Sequence, residues 1–170
     1  HALGGTFDDA AKFSDRFIFN CTAGIHSLEA LSSVNASNMK GKIIIDVANS
    51  LDFSNGMPPS LKYCNTTSLG EKIQEAFPEA HVVKALNTVN CDIMVNAALV
   101  DGEHKLFMAG NDKNAKEQVV EHILEPFGWK GNVIDLGDIK AARSSEMLLP
   151  LWIDLMNYTG TARFNFNIVQ

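Results

Sequence analysis

The residues with the most promising chemistry stand directly after an apolar run near the middle of the chain. This run extends from His81 to Leu86, has the composition of a buried strand, and breaks at Asn87 and Thr88. Binding crevices of open α/β sheets lie outside the carboxyl ends of the strands. We therefore predict that Ala85, Leu86, Asn87 and Thr88 line such a crevice.

Two earlier predicted strands, at residues 16–20 and 42–47, also end in small or polar residues. The residues that follow them are Thr22, Ala23, Gly24, Ala48, Asn49 and Ser50. Small side chains let a backbone approach a ribose or a diphosphate closely, so these are candidate cofactor contacts. The competing interpretations are that Thr22 precedes an ordinary helix start, and that Asn87 and Thr88 only cap a short helix at residues 92–96.

The cysteines, histidines and acidic residues give no pattern for metal or thiol chemistry. Cys21, Cys64 and Cys91 are an odd number at wide spacing, with no C-x-x-C motif and no zinc pattern with the five histidines. We interpret them as reduced thiols and expect a cytoplasmic location and no metal. Glu146 lies on the apolar stripe of a predicted helix, where a carboxylate is costly unless paired. Arg143, one turn earlier, is its predicted partner.

Composition sets the broad class of the protein. The 170 residues are 46% hydrophobic and 20% charged, which is typical of one soluble globular domain. A net charge of −6 argues against a nucleic-acid-binding surface. No apolar run approaches the ~20 residues that a membrane helix requires, so we expect no membrane partner.

The order of the predicted elements indicates an α/β protein. Strands are predicted at residues 16–20, 42–47, 81–86, 105–109, 132–136 and 164–168, with helices between most of them. We expect parallel strands joined by right-handed crossovers. Ser68 and Glu71 form a predicted capping box, and a long final helix begins after Asp138 and should kink at Pro150.

The final helix is apolar on two faces. Ile153 and Met156 belong to one stripe, whereas Leu148, Trp152 and Leu155 form a second. A helix that is apolar on two faces is buried from two sides. We therefore predict a homodimer whose interface contains the second stripe.

The chain resembles a known family over essentially its whole length. The segments that carry the likeness are FNCTAG (19–24), KIIIDVANSLDFSNGMPPSL (42–61), NTTSLGEKIQEAFPEAHVVKALNTVNCDIMVN (65–96), MAGNDKNAKEQV (108–119), VIDLGDIKAARSSEMLLPLW (133–152) and FNFNIV (164–169). They resemble predicted dinucleotide-binding oxidoreductases related to the deazaflavin-coenzyme-dependent NADP reductases. The cytosolic domain of the six-transmembrane epithelial antigen metalloreductases is also similar.

The resemblance implies a Rossmann-type NAD(P)-binding fold with a mostly parallel sheet. It implies an NADP-dependent oxidoreductase that passes hydride between nicotinamide and a flavin-like or deazaflavin acceptor. It also implies that Asn87 and Thr88 lie beside the nicotinamide ring. Hydride transfer needs two flat rings held face to face and no acid or base, which suits a site without His or Glu.

The resemblance also shows what this sequence does not contain. Family members begin with a strand, a G-x-G-x-x-G turn and a helix that hold the pyrophosphate, and no such fingerprint stands here. We therefore expect residues 1–170 to be one domain, the C-terminal portion of such an enzyme, inactive alone and binding NADP in the ~millimolar range. The alternatives are a non-catalytic dinucleotide-binding or dimerisation module and a flavin-dependent ferric or quinone reductase.

Overall fold

The computed structural model describes residues 3–170 of the chain. Its strands are β1 (Phe17–Asn20), β2 (Ile43–Asp46), β3 (Leu51–Asp52), β4 (Ser60–Leu61), β5 (His81–Ala85), β6 (Leu106–Gly110) and β7 (Val133–Asp135). Five of them form one sheet in the order β1, β2, β5, β6, β7, and β3 pairs with β4 in a small antiparallel hairpin. This arrangement confirms the predicted α/β class.

Seven α-helices connect and cover the strands within this range. They are α1 (Phe7–Phe13), α2 (Ser27–Ser32), α3 (Leu69–Ala76), α4 (Cys91–Val95), α5 (Lys113–Val119), α6 (Ala142–Met147) and α7 (Leu149–Thr159). Short 3₁₀ turns lie at Gly24–His26, Ala36–Asn38, Ala97–Leu99 and Ile139–Ala141, and a π-helical stretch, Val120–Trp129, continues α5. No helix among residues 3–170 is long and apolar enough to cross a membrane.

Strand β2, which is paired on both edges, explains why the strands read as continuous apolar runs. Alternate residues of a strand point to opposite faces. Ile43 and Ile45 pack in one core with Val83, and Ile44 packs in a second core with Val82. Helices cover both faces of the sheet, so both sets of side chains are buried and no polar alternation appears.

The sheet is mostly parallel, as predicted, with one reversal. The pairings of β1 with β2, β2 with β5 and β6 with β7 are parallel, whereas β5 and β6 are antiparallel with Ala85 opposite Met108. Gly110, at the end of β6, therefore lies at the opposite end of the sheet from Asn87. An apolar run specifies burial but not direction, which is why the sequence did not show this reversal.

The C-terminal part differs from the prediction in two details. The long final helix is divided into α6 and α7 at Leu148, and Pro150 lies in the first turn of α7, where its missing N–H is tolerated. The predicted strand at 164–168 is wrong. This segment is extended, but its backbone joins the sheet region through one bond, from Lys105 N–H to the Phe166 carbonyl. The physical reason is that both edges of β6 are already paired with β5 and β7.

The two tryptophans occupy contrasting positions. Trp129 is completely buried in the core and donates its indole N–H to the Met94 carbonyl at 3.0 Å. Trp152 is half-buried on α7, and its ring stacks on Phe164 of the C-terminal segment with centroids 5.3 Å apart. Trp152 therefore covers part of its own chain.

Candidate ligand crevice

The three predicted loops meet at one end of the sheet. Because β1, β2 and β5 are adjacent and parallel, the residues that follow them lie side by side. Asn49 donates its side-chain amide to the Asn87 carbonyl at 2.8 Å, and the Asn87 amide donates to Asn49 Oδ1 at 3.0 Å. Gly24 approaches the same place so closely that a Cβ there would lie 2.2 Å from the Asn49 carbonyl oxygen. These loops form one crevice, which we define by Thr22–Gly24, Ala48–Asn49 and Asn87–Thr88.

Asn87 and Thr88 are buried and carry polar atoms without partners. The Asn87 amide nitrogen donates to Asn49 and to the Ser145 carbonyl, the latter at 3.1 Å. Asn87 Oδ1 and Thr88 Oγ1 have no hydrogen-bond partner within residues 3–170, although the two residues are only 3% and 1% exposed. Unpaired buried acceptors are costly and are exceptional in native proteins. This pair therefore distinguishes the crevice from the ordinary, fully bonded interior of the protein.

The interpretation of Asn87 and Thr88 as helix caps is wrong. Helix α4 is capped by Asn90, whose side chain accepts from the Asp92 amide at 2.9 Å. Leu86, just before the pair, has a φ of 66°, which a residue with a branched side chain rarely adopts. Such strain is found where a loop is held for function, so it is consistent with a binding turn.

The remaining predicted residues divide into two groups. Ala85 and Leu86 keep their side chains in the apolar core, so any contact of theirs with a ligand has to use the backbone. Thr22 donates its hydroxyl to Asn20 Oδ1 at 2.7 Å, Ala23 is exposed, and Gly24 opens a 3₁₀ turn. The interpretation of this loop as a helix start is thus confirmed, while its contact with a cofactor stays a prediction.

A buried ion cluster that the sequence did not predict lies beneath the crevice. We define it as Asp46, Lys84 and Glu146, which are all at most 1% exposed. The Lys84 ammonium lies 2.8 Å from Asp46 Oδ2 and 3.0 Å from Glu146 Oε1, and it also donates to the Ala48 carbonyl. Lys84 stands in an otherwise apolar strand, and this was the signal in the sequence that could have indicated a buried partner.

The predicted ion pair between Glu146 and Arg143 is wrong. Arg143 instead forms a two-point bond with Glu71 of α3, at 2.8 and 2.5 Å. Glu146 accepts from the backbone amides of Leu69 and Gly70 in the first turn of α3 and pairs with Lys84. The partner of Glu146 comes from a strand far away in sequence, so helical spacing could not reveal it.

Electrostatics inside the cluster follow from its burial. Burial raises the pKa of the Glu146 carboxyl, although Lys84 and the two α3 amides act in the opposite direction. Burial alone would lower the pKa of Lys84, but Asp46 and Glu146 outweigh it and raise that pKa above its ordinary value. The surroundings of Lys84 therefore favour its charged form, with Asp46 and Glu146 on either side.

A comparison with solved structures identifies the relatives of this chain. A protein of Arthrobacter sp. FB24, provisionally named an F420-dependent NADP reductase, is 49% identical over 98% of this chain and 74% of its own, with a TM-score of 0.93. The chain belongs to the F420-dependent NADP reductase family. This membership confirms the resemblance read from the sequence, while no family model matches the chain.

More distant structures share the Rossmann-type fold of this F420-dependent NADP reductase family. An imine reductase of Myxococcus stipitatus, solved with NADP+, is 16% identical over 93% of this chain and 50% of its own, with a TM-score of 0.56. A 3-hydroxyisobutyrate dehydrogenase of Mycobacterium tuberculosis is 14% identical over 90% of this chain and 49% of its own, with a TM-score of 0.53. These likenesses confirm the predicted fold.

Proposed function

We propose that the protein is an NADP-dependent oxidoreductase whose nicotinamide binds at the crevice beside Asn87 and Thr88. The observation that carries this proposal is the pair of buried, unpartnered acceptors, Asn87 Oδ1 and Thr88 Oγ1. They stand at the carboxyl end of parallel strands, where ligands of α/β sheets bind. The name of the Arthrobacter relative supports NADP as the cofactor.

The chemistry of the crevice fits a nicotinamide. Its carboxamide carries two N–H donors, and Asn87 Oδ1 and Thr88 Oγ1 can accept them. Ala23 is exposed at the edge of the crevice, and its small side chain suits a ribose or diphosphate beside it.

The role of the protein in the reaction is orientation and exclusion of water. A bound nicotinamide supplies or accepts the hydride, and this step requires no acid or base from the protein. Asn87 and Thr88 hold the ring through its carboxamide, so that its reactive face has one orientation. Both are buried, so they keep water away from the side of the ring that they contact.

We propose a deazaflavin or another flavin-like molecule as the hydride acceptor. The support comes from the relative, which is named for the deazaflavin coenzyme F420. An acceptor of this type offers a flat ring that can lie against the nicotinamide.

Titration of the ¹⁵N-labelled 170-residue chain with NADP+ tests the placement, because NMR detects binding even in the ~millimolar range. The side-chain amide of Asn87 and the amide of Thr88 should shift in a saturable way. Asn111, which follows β6 at the opposite end of the sheet, is the internal control and should not shift. Saturable shifts at Asn111 without shifts at Asn87 would contradict the placement.

The acceptor is tested by following NADPH absorbance in the presence of deazaflavin or flavin. Oxidation of NADPH that depends on the deazaflavin supports the proposed reaction. Because the 170-residue chain is expected to be inactive alone, binding at Asn87 without turnover supports the non-catalytic binding module only if turnover is also absent after the chain is joined to a family segment that carries the G-x-G-x-x-G turn. Turnover with flavin and ferric ion alone would support the ferric reductase.

We also propose that the described residues form one domain and that the protein is a homodimer. Both apolar cores share the single five-stranded sheet, which supports one domain. The support for a dimer is apolar surface on α6 and α7, where Met147, Leu151 and Tyr158 are exposed.

A further inference from the structure

The buried ion cluster of Asp46, Lys84 and Glu146 carries a large desolvation cost in the free energy of folding. Taking charges out of water costs several kcal/mol per ion. Replacement of buried ion pairs by well-packed apolar residues of similar volume often leaves the stability of a protein unchanged or raises it. Stability alone therefore does not account for three fully buried charges. Their contacts connect the cluster to the crevice above it.

Lys84 and Asp46 hold the loops after β1 and β2. Lys84 donates to the Ala48 carbonyl, while Asp46 Oδ1 accepts from the Ala48 amide at 3.2 Å. The same oxygen accepts from the Asn20 amide nitrogen at 2.8 Å, and Asn20 Oδ1 in turn accepts from the Thr22 hydroxyl at 2.7 Å. One carboxylate thus holds Ala48 directly and Thr22 through Asn20.

Glu146 extends the network to Asn87. It ties α6 to Lys84 on β5 and to the first amides of α3. The preceding residue, Ser145, offers its carbonyl to the Asn87 amide nitrogen at 3.1 Å. The position of α6 therefore decides whether this bond can form.

The network fixes the orientation of the Asn87 side-chain amide, and this orientation determines which ligand groups can bind. An amide nitrogen has two hydrogens, and Asn87 donates them to Asn49 and Ser145. With both hydrogens committed inside the protein, Oδ1 remains as the free atom, and it can only accept. A crevice set in this way selects a ligand group that donates.

We propose that Asp46, Lys84 and Glu146 are positioning residues, which fix the three crevice loops and present Asn87 Oδ1 as an acceptor toward the ligand. This inference rests on the proposed function for the identity of the ligand, but the orientation of Asn87 can be measured without any ligand. The cluster acts through Ala48, Asn20 and Ser145 and does not itself touch the ligand.

The Glu71–Arg143 pair provides a matched control. It joins the same two helices, α3 and α6, through a charged pair. Within residues 3–170 its other contact is the Ser68 hydroxyl, and neither Glu71 nor Arg143 bonds to a crevice loop. Loss of this pair therefore tests the packing of the two helices separately from the buried ion cluster.

The experiment compares Glu146→Gln with Arg143→Met by NMR and thermal unfolding. Gln keeps a carbonyl oxygen for one of the two α3 amides, replaces the other oxygen with an NH2 group, and removes the charge that Lys84 meets. In the ligand-free chain we expect the side-chain amide resonances of Asn49 and Asn87 to shift in Glu146→Gln and to stay in place in Arg143→Met. The Kd for NADP+ should rise roughly tenfold in the first variant, about the value of one lost hydrogen bond. It should stay within about twofold in the second.

Three outcomes are informative. If both variants change the amides and the Kd in proportion to their loss of Tm, or if Glu146→Gln changes neither, the cluster is merely structural and the proposal is overturned. If the wild-type chain shows no NADP effect at Asn87 but Glu146→Gln still moves the ligand-free amides, the proposed function fails and the positioning role stands. If Glu146→Gln does not fold, Asp46→Asn replaces it. Asn keeps Oδ1 for Asn20 and Ala48 but removes the charged oxygen that Lys84 meets, so the same shifts are expected.

Discussion

At the scale of single residues, Thr88 and Asn87 are neighbours with similar burial, but their side chains form different numbers of hydrogen bonds. The Thr88 hydroxyl bonds to nothing within residues 3–170, whereas the Asn87 amide holds Asn49 and Ser145. Removal of an unpaired hydroxyl relieves a cost, while removal of the Asn87 amide leaves two acceptors unsatisfied. The two residues therefore separate binding from stability.

Thr88→Val is expected to leave the free energy of unfolding unchanged or to raise it by up to about 1 kcal/mol, because the shape is kept and a buried unpaired group is lost. The Kd for NADP+ should rise by roughly 3- to 10-fold, the value of one hydrogen bond. Urea denaturation and NMR titration measure the two quantities. Asn87→Ala is the contrast, with an expected loss of about 1–3 kcal/mol of stability. A clear loss of stability in Thr88→Val would show that its hydroxyl is structural.

Single residues also show how far the sequence could predict the site. The closeness of Thr22–Gly24, Ala48–Asn49 and Asn87–Thr88 is predictable, because strand ends can be read from apolar runs and the sheet brings these ends together. The apolar stripe indicates that Glu146 is a buried carboxylate, but helical spacing predicts Arg143 as its partner, whereas the structure pairs it with Lys84. A side-chain partner that is distant in sequence depends on the packed structure, which local patterns do not contain.

At the scale of elements, the contact between α3 and α6 depends on the Glu71–Arg143 pair. Arg143 is the main cause that lowers the pKa of the Glu71 carboxyl below its ordinary value of 4.5. A carboxyl whose pKa is lower in the folded state contributes stability that is fully present above the unfolded value. This contribution is lost as the pH falls through the folded pKa.

Arg143→Met should therefore cost a modest amount of stability at neutral pH, because the two-point pair is lost but is partly exposed to solvent. The difference from wild type should shrink as the pH falls below 4.5, where Glu71 begins to be protonated in the unfolded chain. Glu146, whose pKa is raised by burial, titrates with the opposite sign but is present in both proteins and cancels. Urea denaturation at several pH values measures the difference. Lys72→Met, in an exposed pair with Glu75, is the control and should show almost no effect. A difference that is constant down to pH 3 would contradict this account.

The elements themselves were largely predictable, and the exceptions share one cause. Strands β1, β2, β5, β6 and β7 were all found from apolar runs, because strands covered on both faces must be apolar throughout. The direction of β6 and the extended segment at 164–168 were not, since both depend on which sheet edges are free. Which edges are free is determined by the assembled sheet, so it cannot be read from the sequence of a single segment.

At the scale of the whole molecule, the homodimer stays a prediction that the fold makes more specific. Of the predicted interface residues, Trp152 already packs on Phe164 of its own chain, so a charge there would disturb the monomer. Leu151 is 51% exposed on α7, and it is the better position to test.

Leu151→Glu is expected to lower the mass measured by light scattering from dimer to monomer at micromolar concentration, because a carboxylate in a dry interface has no partner. Its Tm in the monomeric state should change little, since the side chain is half exposed. Phe13→Glu provides the control, because Phe13 is 79% exposed on α1, away from α7. A monomeric wild-type chain, or an equal effect of Phe13→Glu, would rule out an α7 interface.

The placement of the two indole rings makes the chain its own optical reporter. Trp129 is sealed in an apolar core, so its emission should lie at short wavelength and resist quenching by acrylamide until the whole domain unfolds. Trp152 lies half open against Phe164, so its emission should be quenchable and should respond when the C-terminal segment leaves α7. The release of the C-terminal segment and the unfolding of the core can therefore be followed separately in one unlabelled sample.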